Sequence, residues 1–484
     1  MSSLPNLTSQ YADTFPELVR SATPAATPEP ELVVLNRELA VELGFDPDWL
    51  TTKDGINFLL GHNLPDTTRP VAQAYAGHQF GSYVPVLGDG RAILTGEISL
   101  DGNLVDIHLK GSGLTPFSRP GSDGLAALGP MLREYLISEA LHALTIPTTR
   151  ALAVITTGNN VLRETQLPAA VLVRTGPSHI RVGTFQYVRA QNRTELLQRF
   201  TNYSLQRHYP GTASDNPALK LLQQVVRRQA SLLAQWMHAG LVHGVMNTDN
   251  MTIAGHSIDF GPVAFLDAFD PNAVFSSIDF AGRYAYGNQP VIAEWNLARF
   301  AESLLPAISQ PEDAVVMSDD DAVTAATEAV VEFRAEYSRV WSELLARRLG
   351  LPSETDVSAL GTELFEDLRA SNTDFTSFFA NLASTATSGL IPANVTPELT
   401  SWYEQWLALA PDAEAVARYN PVYVPRNHLV EGAIQDAVTE QNYDTFNTLL
   451  SAVTAPYTRV DSLAHLERPA SMAFALNYQT FCGT

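Results

Sequence analysis

The chain has 484 residues, of which 45% are hydrophobic and 17% charged, and this length predicts two or more packed units with large buried cores. Its net charge of −22 argues against a partner of nucleic acid or anionic membrane, because the surface would repel phosphate groups. The single cysteine, Cys482, excludes an internal disulfide, and since the sequence shows no secretory leader and no apolar run of membrane-spanning length, we expect a cytoplasmic protein.

The first half of the chain predicts strands after an N-terminal extension. We interpret residues 1–65 as that extension, with a short helix near 35–43. Beyond it, β-prone runs at 84–87, 92–98 and 105–110 are separated by glycine turns. This pattern predicts two consecutive hairpins in a twisted antiparallel sheet.

The strand at 105–110 has two chemically different faces. Because side chains alternate along a strand, it places Val105, Ile107 and Leu109 on one face and Asp106, His108 and Lys110 on the other. A glycine-rich loop at 111–124 follows this strand. We therefore expect a polar face that ends in a lysine beside a loop able to approach a ligand closely.

Helices become more frequent later in the chain. A helix opened by Pro130 carries Glu134, and strands are predicted at 151–155 and 169–173. A long helix at 217–237 ends at Gly240, and a loop-and-hairpin segment at 243–265 interrupts the helices.

The predicted fold class is α+β. We expect a small antiparallel-sheet lobe at 66–188, a helical lobe at 189–310 and a mostly helical C-terminal extension at 311–484.

One candidate site combines a lysine at a strand end with a glutamate on the next helix. Lys110 would hold phosphate groups and Glu134 would position it, while the turn Gly88-Asp89-Gly90 would let the backbone approach a nucleotide. The alternative is a surface lysine and a solvated helix glutamate, and short glycine patterns are weak signals.

A second candidate site matches the layout of a kinase catalytic loop. The segment His243-Gly244-Val245-Met246-Asn247-Thr248-Asp249-Asn250 precedes a short predicted hairpin and then Asp259-Phe260-Gly261. Asn250 and Asp259 would supply oxygen ligands to Mg²⁺, with Mn²⁺ as an alternative ion. The plainer reading is a turn rich in Asn, Thr and Asp.

The catalytic loop departs from the kinase pattern at one position. A kinase places an Asp two residues after the His, and this chain has Val245 there, which cannot accept a proton. Either the chain is an inactive kinase, or Asp249 serves as the base. Arg174 and Arg181 add positive charge that would suit a departing pyrophosphate, although each read singly is a surface salt-bridge residue.

These residues together resemble the selenoprotein O family, the SelO-like protein adenylyltransferases. The resemblance includes Tyr75-Ala76-Gly77-His78-Gln79-Phe80-Gly81 and the stretches 87–92, 109–111, 133–136, 146–152, 243–251, 258–262, 282–285 and 288–290. It runs from about residue 10 to 300 and continues more loosely toward the end of the chain.

The resemblance implies a protein-kinase-like bilobal fold that binds ATP in a flipped orientation and transfers AMP to a Ser, Thr or Tyr hydroxyl of a protein, releasing pyrophosphate. By the family pattern Lys110, Arg174 and Arg181 would hold phosphates, and Asn250 and Asp259 would bind Mg²⁺. Asp249 would be the base, and Asp259 would also face the nucleotide. The residues that would line the nucleotide site are Gly88, Gly90, Arg91, Asp123 and Gly124.

Two places depart from the family pattern. Ser122 resembles an insertion before Asp123, and Leu125 stands where the family usually has Arg.

The remaining alternatives are a phosphotransferase that uses Asp249 and a non-catalytic ATP-binding scaffold. We expect the partners to be ATP and protein substrates, without nucleic acid or membrane, and the chain to be a monomer.

Overall fold

The structure is a computed structural model and describes residues 5–311 and 315–481, so Cys482 lies outside the described residues. The strands are β1 (Leu7–Thr8), β2 (Val19–Ser21), β3 (Glu31–Leu35), β4 (Val71–Gln73), β5 (Gly77–Gln79), β6 (Ser82–Val84), β7 (Ala92–Leu100), β8 (Asn103–Lys110), β9 (Ala126–Ala127), β10 (Arg150–Leu162), β11 (Gln166–Gly176), β12 (Leu241–Val242) and β13 (Ala264–Phe265).

The helices are α1 (Gln10–Thr14), α2 (Arg37–Glu42), α3 (Pro47–Leu50), α4 (Lys53–Leu59), α5 (Leu128–Ala143), α6 (Val182–Ala190), α7 (Thr194–His208), α8 (Pro217–Ala239), α9 (Gln289–Ser309), α10 (Asp319–Arg348), α11 (Ser358–Ser371), α12 (Phe375–Ser388), α13 (Pro397–Ala408), α14 (Ala413–Tyr419), α15 (Asn427–Thr439), α16 (Asp444–Val453) and α17 (Met472–Ala475). Short 3₁₀ turns lie at Pro16–Leu18, Thr248–Asn250, Tyr286–Asn288 and Asp461–Glu467.

An antiparallel sheet forms the centre of the N-terminal half. Its strand order is β2-β4-β7-β8-β11-β10-β3, with β1 added to β7 and β9 added to β11. The α+β class is therefore confirmed. Strands β10 and β11 contain the predicted runs at 151–155 and 169–173 and extend beyond them in both directions.

The alternation predicted for β8 is confirmed by the two faces of the sheet. Ile107 and Leu109 pack in a cluster with α2, α3 and α4. Leu172, which is the cross-strand partner of Lys110, packs on the opposite face in a cluster with α5, α15 and α16. The polar side chains of β8 are thus directed to the face that α5 covers.

The segment before residue 66 takes part in the central sheet. Strand β1 pairs with β7, β2 with β4 and β3 with β10. The predicted helix near 35–43 forms as α2, which Asn36 caps by accepting from the Leu39 amide. The boundary at residue 65 stays a prediction, but the strands before it are part of the sheet.

The predicted hairpin of 92–98 with 105–110 is confirmed as β7–β8. Two other predicted hairpins are wrong. The run at 84–87 does not pair with 92–98, because β6 pairs with β5 while β7 pairs with β4 and β8. Residues 251–259 form no strand pair of their own. There the Thr252 hydroxyl donates to the His256 carbonyl at 2.7 Å, and Thr252 bridges Arg181 instead.

Helices dominate the rest of the chain, as predicted. Helix α8 ends at Gly240, whose φ of +70° is a left-handed conformation that glycine adopts without strain. Its apolar face joins a cluster with α6, α7, α9 and α10. Helices α15 and α16 pack against α5, so the C-terminal part of the described chain supports the sheet.

Among the described helices, none has a stretch both long enough and apolar enough to cross a lipid bilayer.

Candidate active site

Three cationic side chains meet at one carboxylate. Lys110 Nζ and Arg174 Nη1 each lie 2.7 Å from Asp259 Oδ1, and Arg181 Nη1 lies 2.7 Å from Asp259 Oδ2. Glu134 is a second partner of Lys110. The Arg174 and Arg181 side chains are each 3% exposed, so these charges interact in a low-dielectric setting where they are strong.

The elements explain why these side chains converge. Lys110 is the last residue of β8, and Arg174 lies on the adjacent strand β11, both on the face covered by α5. Glu134 projects from α5, and Arg181 precedes the first turn of α6. Asp259 adopts a φ of +63°, a sparsely populated conformation for a side-chain-bearing residue that clusters at functional sites.

The cations determine the ionisation of Asp259. Burial acts to raise the pKa of this carboxyl, but the charges of Lys110, Arg174 and Arg181 outweigh it and hold the pKa well below its ordinary value. Asp259 is consequently a carboxylate at neutral pH, as a metal ligand must be.

Asp249 has the opposite environment, although its loop lies beside the cations. Arg181 Nη1 donates to the Asp249 backbone carbonyl at 2.6 Å. Burial raises the pKa of the Asp249 side chain to about 6. Its Oδ2 accepts from Gln79 Nε2 at 3.1 Å, and its Oδ1 is buried without a protein partner. A carboxylate with a pKa near neutrality suits proton transfer.

The hairpin formed by β5 and β6 covers the loop 243–250. The His78 amide donates to Thr248 Oγ1 at 2.7 Å and the Phe80 amide donates to Asn247 Oδ1 at 3.1 Å. A Cβ on Gly77 would lie 2.6 Å from Asp249 Oδ1. Only glycine therefore lets the hairpin approach this closely.

Asn250 is held by its own loop. Its Nδ2 donates to the Val245 carbonyl at 2.9 Å, which directs the amide oxygen away from that carbonyl. No group of three or more His, Cys, Asp or Glu side chains within 5–311 and 315–481 is arranged to hold a metal ion. The oxygen donors of Asn250 and Asp259 nevertheless fit Mg²⁺, an ion that keeps several waters and takes phosphate oxygens as ligands.

The nucleotide residues expected at 88–91 and 123–124 form a folded turn and loop. A Cβ on Gly88 would lie 2.4 Å from the Phe117 ring, and Thr115 Oγ1 donates to the Asp89 carbonyl at 2.5 Å. The Arg91 carbonyl accepts from the Gly111 amide at 2.7 Å. The glycines of this turn thus also serve packing against the loop at 111–124.

Asp123 and Gly124 lie at the far end of that loop. The Asp123 carboxylate pairs with Arg163 at 2.7 Å, and its side chain is 39% exposed. Gly124 has a φ of +70°, and a Cβ there would meet the Gly113 backbone at 2.3 Å. In this structure Asp123 contacts Arg163 rather than the cation cluster, and its place in a nucleotide site stays a prediction.

Sequence reasoning gave no role to several residues that shape the site. Gln79 binds Asp249, and the Tyr75 ring lies under the Arg181 guanidinium at 4.7 Å. Both belong to the stretch 75–81, which carried the family resemblance, so that stretch was the available signal. His108 binds Arg174 Nε, and its position on the Lys110 face of β8 pointed to it.

Comparison with known proteins gives one consistent result. Residues 3–454 match the family described as protein adenylyltransferase SelO. A protein nucleotidyltransferase YdiU of Mycolicibacterium paratuberculosis is 51% identical over 501 aligned positions that cover 100% of both chains. Proteins of the same name from Pseudarthrobacter chlorophenolicus and Chromobacterium violaceum are 52% and 49% identical, covering 94% and 97% of this chain and 94% and 100% of theirs.

Proposed function

Because the chain belongs to the protein adenylyltransferase SelO family, we propose that it transfers AMP from ATP to a Ser, Thr or Tyr hydroxyl of a protein and releases pyrophosphate. Its relatives are named protein nucleotidyltransferases, so nucleotide transfer is the coarser statement that the family carries. The acceptor class and the AMP group are the finer parts of the proposal.

The observation that carries the proposal is the convergence of Lys110, Arg174 and Arg181 on Asp259. Asp259 and Glu134 hold these three cations in fixed positions, and fixed cations can bind an anionic ligand. A pyrophosphate leaving group develops negative charge as it departs, and fixed cations stabilise such charge. Two guanidinium groups also offer paired donors to phosphate oxygens.

The proposal includes a protein-kinase-like bilobal arrangement. Three features support it: the Lys110–Glu134 pair between sheet and helix, the loop 243–250, and Asp259-Phe260-Gly261 after it. Cytoplasmic location and a monomeric state belong to the same proposal.

The transfer step moves one bond and one proton. The acceptor hydroxyl oxygen attacks the α-phosphorus, and the bond from that phosphorus to the oxygen leading to the β-phosphate breaks. Pyrophosphate takes the bonding electrons, and the hydroxyl proton passes to the Asp249 carboxylate. Asp249 suits this role because burial raises its pKa to about 6, near the working pH of a base.

Asn250 and Asp259 would hold Mg²⁺, or Mn²⁺ in its place. When bound, the ion neutralises phosphate oxygens and orients them. Glu134 holds Lys110 in place, and Tyr75 supports Arg181 from beneath. These side chains bind and orient the nucleotide while Asp249 handles the proton.

Labelled ATP separates this proposal from phosphoryl transfer. The purified chain is incubated with Mg²⁺, a mixed protein substrate and ATP labelled at either the α- or the γ-phosphate. We expect protein-bound label from α-labelled ATP only, together with a mass increase equal to AMP. Label from γ-labelled ATP alone would show a phosphotransferase, and label from neither would show a nucleotide-binding scaffold.

A further inference from the structure

A buried histidine joins the glycine turn to the cation cluster. His108 is the cross-strand partner of Arg174 in the β8–β11 register. Arg174 Nε donates to His108 Nδ1 at 3.2 Å, while His108 Nε2 lies 3.2 Å from Asp89 Oδ2. Asp89 is the central residue of the turn 88–90, and Arg174 Nη1 contacts Asp259. One ring thus connects two parts of the proposed nucleotide site.

The hydrogen bonds determine which ring nitrogen carries the proton. An arginine Nε–H can only donate, so His108 Nδ1 must be an unprotonated acceptor. The proton of the neutral ring is then on Nε2, which donates to Asp89. Burial lowers the pKa of His108, which agrees with a neutral ring.

Other residues hold the His108 ring in its plane. It stacks on His179 with ring centroids 4.1 Å apart and planes 13° from parallel. His179 Nδ1 lies 2.9 Å from Asp106 Oδ2, and Arg207 binds the other oxygen of Asp106 at 2.6 Å. The His108 and Asp106 side chains are fully or almost fully buried, so the ring has a single defined orientation.

We propose that His108 is a positioning residue for nucleotide binding: its Nδ1 lone pair fixes the guanidinium plane of Arg174, and its Nε2–H ties that plane to the Gly88–Gly90 turn through Asp89. The inference rests on the proposed function only in that Arg174 holds a nucleotide phosphate. An arginine oriented before binding loses less entropy when it clasps the phosphate.

Two amide substitutions separate the two halves of this role. In His108→Asn the amide oxygen occupies the place of Nδ1 and still accepts from Arg174. In His108→Gln the amide occupies the place of Nε2, so the Asp89 contact is kept and the acceptor for Arg174 is lost. We expect the dissociation constant of ATP, measured by calorimetry on the full chain with Mg²⁺, to rise roughly tenfold in His108→Gln and clearly less in His108→Asn.

A double-mutant cycle tests whether the effect passes through Arg174. In an Arg174→Ala background, His108→Gln should change ATP affinity by less than about twofold, because interacting residues are non-additive. An equal loss in both amide variants, unchanged affinity in His108→Gln, or a full additive loss in the Arg174→Ala background would each overturn the inference.

A measurement on the unmodified chain tests the inference even if the variants fail to fold. Selective ¹⁵N-histidine labelling reports the protonated nitrogen of each of the eleven histidines, and the His108 signal is assigned by sequential backbone experiments on the unmodified chain. A signal showing protonated Nδ1 would contradict the inference. None of these readouts needs AMP transfer. Weaker ATP binding in His108→Gln, together with no α-label transfer by the unmodified chain, would support the inference and refute the proposed function. Unchanged ATP binding in His108→Gln, together with α-label transfer by the unmodified chain, would refute only the inference.

Discussion

Asp249 and Asp259 are two carboxylates of one site with opposite ionisation behaviour. Burial raises the pKa of Asp249 to about 6, whereas three cations overcome burial and hold the pKa of Asp259 well below its usual value. Groups whose environments push their pKa values apart are typical of an acid–base partner and a charge-binding partner in one site. Spacing in the sequence suggested both roles, but the difference in environment comes from the contacts.

The contrast predicts different effects for two isosteric substitutions. Asp249→Asn should lower kcat for AMP transfer by about 10² to 10⁴ and leave ATP affinity close to that of the unmodified chain, because it removes a proton acceptor. Asp259→Asn should weaken ATP binding in Mg²⁺, since it removes a proposed metal ligand. Steady-state kinetics and calorimetry measure both, and loss of ATP binding in Asp249→Asn would argue against its role as base.

Gly77 provides a test of the hairpin over the loop 243–250, which carries the proposed base. The Cβ of Gly77→Ala would lie 2.6 Å from Asp249 Oδ1, so either the hairpin or the proposed base must move. We expect at least a tenfold loss of kcat, about 1.4 kcal/mol of barrier, with a small change in Tm. Gly432→Ala is the matched control, because its Cβ meets nothing within 4 Å and should leave transfer unchanged. Equal activity in the two variants would show that the hairpin does not need to approach so closely.

At the scale of elements, helix ends were predictable where a residue type dictates backbone geometry. Gly240 and Gly389 both end helices in the left-handed conformation, with φ of +70° and +67°. Only Gly240 is packed, with Phe375 Cδ1 3.0 Å from where its Cβ would be. The sequence indicates the left-handed conformation through the glycine itself, whereas only the fold determines the packing against Phe375.

This pair of glycines gives a stability prediction. Gly389→Ala should destabilise by about 1–2 kcal/mol through backbone strain alone. Gly240→Ala should cost more, because the same strain is joined by a clash with Phe375. Urea unfolding midpoints measure the difference, and an equal cost in both variants would show that Phe375 accommodates the added methyl group.

Strand pairing was less predictable than helix ends. Alternation correctly assigned the faces of β8, because a residue's face depends only on its position along the strand. Partner choice depends on distant segments: β7 lies beside β4 and β1 rather than the nearby β6. The expected hairpin at 251–259 failed because Thr252 bridges Arg181, which no local pattern encodes.

At the scale of the whole molecule, buried histidines link folding to pH. Burial lowers the pKa of His238 to about 3 and that of His256 to about 4, and it holds the pKa values of His179 and His208 well below the usual range. Each of these histidines is neutral in the folded chain, whereas in the unfolded chain each binds a proton below about pH 6.5. The stability that these neutral histidines contribute is therefore fully present above that pH and is lost as the pH falls.

We expect the urea midpoint to fall markedly between pH 7.5 and 5.5. Below pH 6.5 the free energy of unfolding should decrease by about 1.4 kcal/mol per histidine and pH unit. Asp249 opposes the trend, because its raised pKa makes the folded state bind a proton, but it is one group against several histidines. His238→Gln should flatten the slope, since its amide can still donate to the Trp341 carbonyl without titrating. The exposed His465→Gln is the control, and a pH-independent midpoint would contradict the prediction.

Residue type and local period are properties of the amino-acid sequence, and they were enough to predict the α+β class, the polar face of β8 and the glycine stop of α8. They also selected the candidate site residues, which are Lys110, Glu134, Arg174, Arg181, Asp249, Asn250 and Asp259. Only the tertiary structure decided that the three cations share one carboxylate, that Gln79 binds Asp249 and that His108 joins Arg174 to Asp89. These contacts join residues far apart in sequence, and packing of the whole chain, not local propensity, fixes which distant side chains meet.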